Sequence, residues 1–124
     1  MAGEGRVRGI VSRVGGPDRL REILKVFYGR MRDDLLLGFF FAGKNIEEIV
    51  DGQHAFLMRA FQETERFHGV HPSKAHLKLA PILRGHFDRR LLVLRQVLEE
   101  HDLHPLDVRA WLKVEEGMRE LVQR

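Results

Sequence analysis

The sequence predicts an all-α protein with one domain, and three observations support that prediction. Apolar residues recur at three- and four-residue steps in several segments, which is the spacing of one buried helical face. Residues that favour helix starts stand before these segments, and no segment shows the sustained polar–apolar alternation of a strand. With 124 residues, of which 44% are hydrophobic and 31% charged, the chain can bury one core and leaves little room for a second domain.

The first 16 residues are predicted to form a flexible segment, followed by a helical domain over residues 17–124. This segment is rich in Gly and Arg, shows no stable periodicity and ends at Gly15-Gly16-Pro17. Asp18 can cap a helix, and the apolar residues behind it predict a first helix over 18–32. These residues recur at helical spacing: Leu20, Ile23, Leu24, Phe27, Tyr28 and Met31.

A short buried element and a second long helix are predicted next. The run over 35–41 is too apolar to lie on the surface and too short for a full amphipathic helix. Asn45 followed by Glu48 resembles a capping box and marks the start of the second helix. The inward stripe of this helix contains Ile46, Ile49, Val50, Gln53, Phe56, Leu57, Ala60 and Phe61.

The second half of the chain is predicted to add a loop, a short helix and two longer helices. Residues 62–72 are polar and read as a loop, residues 73–79 form a short helix, and Pro81 ends it. Apolar spacing predicts a third long helix over 86–100, and Pro105 begins a fourth that extends to about residue 122. The predicted inner face of this last helix contains Trp111, Val114, Met118 and Leu121.

Composition and charge exclude several classes of function. The chain has no cysteine, so disulfides, thiolate metal sites and cysteine nucleophiles are excluded. The net charge is only +3, and acidic and basic residues are interspersed, which argues against nucleic acid as a partner. No apolar run is long enough to span a bilayer, and the N-terminus lacks the apolar core of a signal peptide. We therefore expect a cytoplasmic protein that uses neither nucleic acid nor a membrane.

Three polar residues stand where a buried face is predicted, and each requires a hydrogen-bond partner. Tyr28 and Gln53 lie on the inward stripes of the first two long helices, and His76 lies among leucines on the short helix. Burying such a group without a partner costs about 1 to 3 kcal/mol. Tyr28 and Gln53 therefore either bond to each other inside an ordinary core or line a pocket for a small ligand. Phe56 and Phe87 are among several phenylalanines on predicted inward faces, and such a wall suits a flat apolar ligand.

Five short motifs, in this order and at this spacing, resemble the truncated, two-over-two hemoglobins over about residues 15–98. The resemblance implies a shortened globin fold in which two antiparallel helix pairs enclose a heme. The motifs are Phe27-Tyr28-Gly29-Arg30, Phe40-Phe41, Gln53-His54-Ala55-Phe56-Leu57, Ala75-His76-Leu77-Lys78-Leu79 and His86-Phe87-Asp88.

The resemblance also implies roles for four residues around the iron of heme b, which is iron protoporphyrin IX. His76 matches the proximal iron ligand, and Tyr28 matches the distal tyrosine that donates a hydrogen bond to dioxygen. Gln53 matches the distal glutamine. Ile49, one turn earlier, falls at the distal position that often holds His, Gln or Leu.

Further residues are expected at the edge of the heme. Phe41 matches the phenylalanine that packs on the heme edge, and Phe56 and Phe87 belong to the aromatic wall. Lys78 and Arg84 are candidate partners for the heme propionates. The sequence departs from the family pattern at Arg90, where an apolar residue or Trp is usual, and this departure bears on ligand access or helix register there.

These features predict a heme protein that binds dioxygen, and other diatomic gases such as NO or CO, reversibly at ferrous iron. A heme enzyme, either a nitric oxide dioxygenase or a peroxidase, is the first alternative and would need a reductase as partner. The second alternative is a heme-free helical interaction module in which Tyr28, Gln53 and His76 satisfy one another. The chain is expected to be a monomer or a weak dimer.

Overall fold

A computed structural model describes residues 6–61 and 83–119, and within those ranges the chain contains helices and no strand. The helices are α1 (Ile10–Val14), α2 (Pro17–Arg32), a 3-10 helix (Gly38–Phe41), α3 (Ile46–Ala60), α4 (Arg84–Glu100) and α5 (Pro105–Glu116). The predicted short helix over 73–79 lies outside the described residues. No helix in the described part of the chain is long and apolar enough to cross a membrane.

The long helices pack as two pairs, which confirms the two-over-two prediction. Helix α2 packs mainly against α3, helix α4 packs against α5, and α2 also contacts α4. The apolar stripe predicted for α2 is buried along its whole length, and Phe27 and Met31 are almost fully covered. One core therefore joins the two pairs, with Trp111 of α5 among its largest side chains.

Helix α1 lies within the segment that the sequence predicted to be loosely attached. Its Ile10, Val11 and Val14 side chains are buried in the core. Arg13 also pairs with the buried carboxylate of Asp107 on α5 at 3.0 Å. The prediction of a flexible segment over residues 1–16 therefore missed this helix. A five-residue helix is too short to show periodicity, and tertiary contacts stabilise it.

The apolar run over 35–41 is only partly buried, so the prediction for it was wrong for about half of its residues. Leu37 and Phe40 are covered, whereas Leu35 is fully exposed and Phe39 is 53% exposed. The backbone turns tightly here, and a Cβ added to Gly38 would lie 2.6 Å from the carbonyl oxygen of Arg32. Such a turn directs neighbouring side chains to opposite sides, which composition alone does not specify.

Asp34 fixes this turn to the second helix pair. Its carboxylate accepts hydrogen bonds from the backbone N–H groups of Leu36 and Leu37 at 2.9 and 3.2 Å. The same carboxylate accepts a 2.6 Å bond from the Arg89 guanidinium on α4. The Arg89 hydrogen bond is the main reason why the pKa of Asp34 lies below its usual value.

The starts of α3 and α5 agree with their capping signals. Asn45 Oδ1 accepts from the Glu48 backbone N–H at 3.3 Å, which is the Asn45 half of the predicted capping box. Pro105 is the first residue of α5, and His104 Nδ1 accepts from the Leu106 N–H at 3.0 Å. Helix α5 ends at Glu116, earlier than the predicted end near residue 122, although residues 120–124 lie outside the described range.

Candidate functional site

Tyr28 and Gln53 lie on α2 and α3, the two helices that form the first pair. Tyr28 is 4% exposed, and its ring contacts those of Phe27 at 5.1 Å and Phe41 at 6.0 Å between centroids. Gln53 is half-buried. Both side chains therefore face the interior, as their positions on the apolar stripes predicted.

Tyr28 and Gln53 do not bond to each other, because each bonds to a charged residue of the second helix pair. Arg90 Nη2 on α4 donates to Tyr28 Oη at 3.3 Å. Gln53 Nε2 donates to Glu115 Oε1 on α5 at 3.1 Å. Arg90 Nη2 also donates to Glu115 Oε2 at 3.0 Å, so an ion pair connects the two candidate ligand-binding residues.

Glu115 is the most buried carboxylate at this site. Its side chain is fully buried, and the Arg90 side chain is 16% exposed. The Trp111 indole N–H donates a third hydrogen bond to Glu115, at 3.3 Å. We call the five residues Tyr28, Gln53, Arg90, Trp111 and Glu115 the distal network. Each of its buried polar atoms has a partner, as buried polar groups require.

The environment keeps the Tyr28 hydroxyl protonated and Arg90 charged. Burial raises the pKa of Tyr28 above its ordinary value, the Arg90 guanidinium opposes this, and the Glu115 carboxylate adds to it. Burial alone would lower the pKa of Arg90, but attraction to the Tyr28 and Glu115 oxygens outweighs burial and raises it. Arg90 also lies over the Phe27 ring, 5.0 Å from the centroid.

Glu115 belongs to the candidate site but was not predicted from the sequence, since an acid was not expected on an inner face. The available signal was its position four residues after Trp111 on the same stripe. Arg90 was noted as a departure from the family pattern. Helix α4 runs without interruption from Arg84 to Glu100 and contains Arg90.

The candidate aromatic residues come from three elements, with Phe41 on the 3-10 helix, Phe56 on α3 and Phe87 on α4. Phe56 packs against the main core and also against a smaller apolar cluster formed by Phe87 and Met118. Phe41 and Ile49 are partly buried at the edge of the main core. Phe41, Ile49 and Phe56 are thus partly covered, whereas Phe87 is buried. Apolar side chains of this kind suit a flat apolar group such as heme, and Phe41 lies beside Tyr28 of the distal network.

Of the three remaining predicted site residues, only Arg84 lies in the described part of the chain. His76 and Lys78 lie outside the described residues, so the proposed axial ligand and one propionate partner stay predictions. Arg84 is exposed at the first position of α4. Over residues 6–61 and 83–119, no group of three His, Cys, Asp or Glu side chains could hold a metal ion.

Comparisons with known proteins agree with this fold. A family model described as bacterial-like globin matches residues 10–124. The truncated hemoglobin from Tetrahymena pyriformis in its Fe(III) form has a TM-score of 0.83 and 21% identity, covering 92% of this chain and 97% of that chain.

A second solved structure is similar over nearly the same length. It is the 2/2 hemoglobin from Synechococcus sp. PCC 7002 in the cyanomet state with covalently attached heme. Its TM-score is 0.81 and its identity 21%, covering 93% of this chain and 98% of that chain. No curated protein matches the chain. Together with the family match, the two structures show that the fold is the truncated globin fold.

Proposed function

We propose that this chain, which belongs to the bacterial-like globin family, holds heme b and binds dioxygen reversibly through it. Globins are built around a heme pocket between packed helices. Heme supplies a ferrous iron that takes a diatomic gas such as dioxygen, carbon monoxide or nitric oxide. The remaining roles belong to side chains of this chain.

The observation that carries the proposal is the burial of Tyr28, whose ring packs against those of Phe27 and Phe41. A phenol has one O–H hydrogen to donate. Because burial raises the pKa of Tyr28, that hydrogen is retained at neutral pH. A hydrogen bond to a ligand that carries partial negative charge is typically worth about 1.5 to 3 kcal/mol. We therefore assign Tyr28 the role of slowing dioxygen release.

Gln53, Ile49 and the aromatic residues complete the proposed pocket. The Gln53 amide has a second N–H beside the one given to Glu115, and this second N–H can support the ligand. Ile49 supplies an apolar side chain one turn earlier on α3, and Phe41, Phe56 and Phe87 contact the ring system.

His76 is proposed as the axial ligand through its neutral imidazole nitrogen, and an acceptor for its other N–H would fix the tautomer. Lys78 and Arg84 are the proposed partners of the propionates. The His76 assignment rests on the family resemblance, and the Lys78 and Arg84 assignments rest on the positive charge that propionates need.

The test is the rate at which dioxygen leaves the ferrous protein. Tyr28→Phe removes only the hydroxyl, and we expect dissociation to become faster by roughly one to two orders of magnitude. His54→Ala is the matched control, because His54 adjoins Gln53 but its Nε2 lies 2.9 Å from the Pro17 carbonyl oxygen instead. An unchanged rate in the Tyr28 variant would contradict the distal assignment.

A further inference from the structure

The distal network contains a buried ion pair, which an ordinary globular core would not need. Arg90 and Glu115 lie 3.0 Å apart, with side-chain exposures of 16% and 0%. Taking two charges out of water is expensive, and replacing such a pair by apolar residues of similar volume is often neutral or stabilising. Stability alone therefore does not explain the pair. Each member instead contacts one of the two candidate ligand-binding side chains.

The contact with Arg90 determines how Tyr28 can use its hydroxyl. A guanidinium can only donate hydrogen bonds, whereas a hydroxyl has one hydrogen and two lone pairs. At the 3.3 Å contact Tyr28 must therefore be the acceptor, and its own hydrogen is left for a different partner. Among residues 6–61 and 83–119, no hydrogen bond donated by Tyr28 is present.

The contact with Glu115 determines the orientation of Gln53 in the same way. A carboxylate can only accept, so the Gln53 amide must direct its nitrogen, and not its oxygen, toward Glu115. Trp111 donates to the same carboxylate oxygen and Arg90 to the other, so Glu115 is held from two sides. Arg90 and Trp111 hold the Glu115 carboxylate in place, and Glu115 in turn holds the Gln53 amide in one orientation.

We propose that Arg90 and Glu115 are positioning residues that set the hydrogen-bonding direction of the distal side chains. Arg90 occupies a lone pair of Tyr28 and so makes its hydroxyl a donor toward the pocket, while Glu115 anchors Arg90 and the Gln53 amide. The charge nearest to the Tyr28 hydroxyl is then a cation, so the pocket favours ligands with partial negative charge over nonpolar ones. This inference rests on the proposed heme function, but its main geometric claim does not require heme.

The geometric claim can be tested without heme because Tyr28 is the only tyrosine in the chain. The tyrosine doublet in the Raman spectrum distinguishes a hydroxyl that accepts from one that donates, and here it reports on Tyr28 alone. We expect an acceptor signature in wild-type protein and its loss in the double variant Arg90→Met/Glu115→Met. The double variant is used because it leaves no buried charge unpaired. An identical doublet in both proteins would overturn the proposal.

The functional consequence is tested on the heme-loaded protein with dioxygen and carbon monoxide as probes. In Arg90→Met/Glu115→Met we expect dioxygen to dissociate about tenfold faster, with carbon monoxide dissociation changed less than about twofold. The C–O stretching frequency should rise, because a weaker donor faces the ligand. Arg90→Lys should retain most of the wild-type behaviour, since an ammonium can also donate to both oxygens.

The matched control is Arg89→Met, which removes the neighbouring arginine of α4. Arg89 pairs with Asp34 and lies outside the distal network, so ligand dissociation and the tyrosine doublet should stay at wild-type values. A double variant with wild-type dioxygen and C–O behaviour would overturn the positioning role even if the protein binds heme. Failure of the wild-type protein to bind heme, with the expected change in the doublet, would instead overturn the proposed function and leave the geometric claim supported.

Discussion

Replacing Glu115 by Leu should destabilise the protein strongly, because the change leaves three donors without their acceptor. The carboxylate is fully buried and accepts from Arg90, Gln53 and Trp111. Breaking a buried ion pair by removing one partner costs about 3 to 5 kcal/mol, since the other charge stays buried. Arg90 keeps 16% exposure and Gln53 is half-buried, so water can reach both in part. We therefore expect the lower half of that range, about 3 to 4 kcal/mol.

The assay is equilibrium unfolding in guanidinium chloride, with wild-type and variant proteins prepared in parallel. Far-ultraviolet circular dichroism is the appropriate signal, because the fluorescence of Trp111 would respond directly to a change at residue 115. Glu115→Gln keeps one acceptor oxygen and the side-chain volume, so it should lower the unfolding free energy less than Glu115→Leu does. This variant can still be measured if Glu115→Leu fails to fold.

The double variant Arg90→Met/Glu115→Leu separates the ion pair from the packing. Because no charge is left unpaired, its unfolding free energy should lie within about 1 kcal/mol of wild type. A loss of less than about 1 kcal/mol in Glu115→Leu, or a double variant as unstable as the single one, would contradict the role given to the Arg90–Glu115 ion pair.

Three further predictions follow from contacts outside the distal network. Asn45→Ala should lower the unfolding free energy by about 1 kcal/mol because the N-cap of α3 is lost, whereas Asn45→Asp should keep the wild-type value. Equal thermal midpoints of the Asn45→Ala variant and the wild type would contradict the capping role. Because the pKa of Asp34 is lowered in the folded protein, the ionised carboxylate stabilises the fold at pH values above about 4, and this stability is lost as the pH falls through the lowered pKa. In Asp34→Asn the unfolding free energy should therefore fall less steeply with decreasing pH than in wild type. Parallel pH profiles of the two proteins would contradict a stabilising bond between Arg89 and Asp34. Asp107→Asn should speed amide hydrogen exchange in α1 by about tenfold or more, while the exchange rates in α3 stay at their wild-type values. Wild-type exchange rates in α1 of this variant would contradict the role of the Asp107 ion pairs in holding α1 in place.

The sequence predicted the long helices because each carries its own signals. The apolar stripe of α2 and the Asn45 cap of α3 are local features that the structure retains. Helix α1 has no such signal, and its position depends on Asp107, which lies about a hundred residues away in the chain. The half-exposed run over 35–41 shows that composition specifies neither the turn nor which side chains face outward.

The candidate site was predicted in part, since the polar residues on the inward stripes could be identified but not their partners. Tyr28 is buried as its position required, yet its partner Arg90 lies 62 residues away on another helix. Glu115 was missed because a lone acid on an inner face is costly, and only the arginine from α4 makes its burial possible. Contacts between helices of this kind are set by packing and leave no periodic trace in the sequence.

The most direct test of heme binding by this chain is to titrate the purified protein with hemin and follow the visible absorption spectrum. We predict a Soret band that grows with added hemin, saturates at one hemin per chain and shifts on reduction under carbon monoxide. A spectrum that stays that of free hemin at every ratio would contradict heme binding and favour a helical module whose distal network is satisfied by protein groups alone.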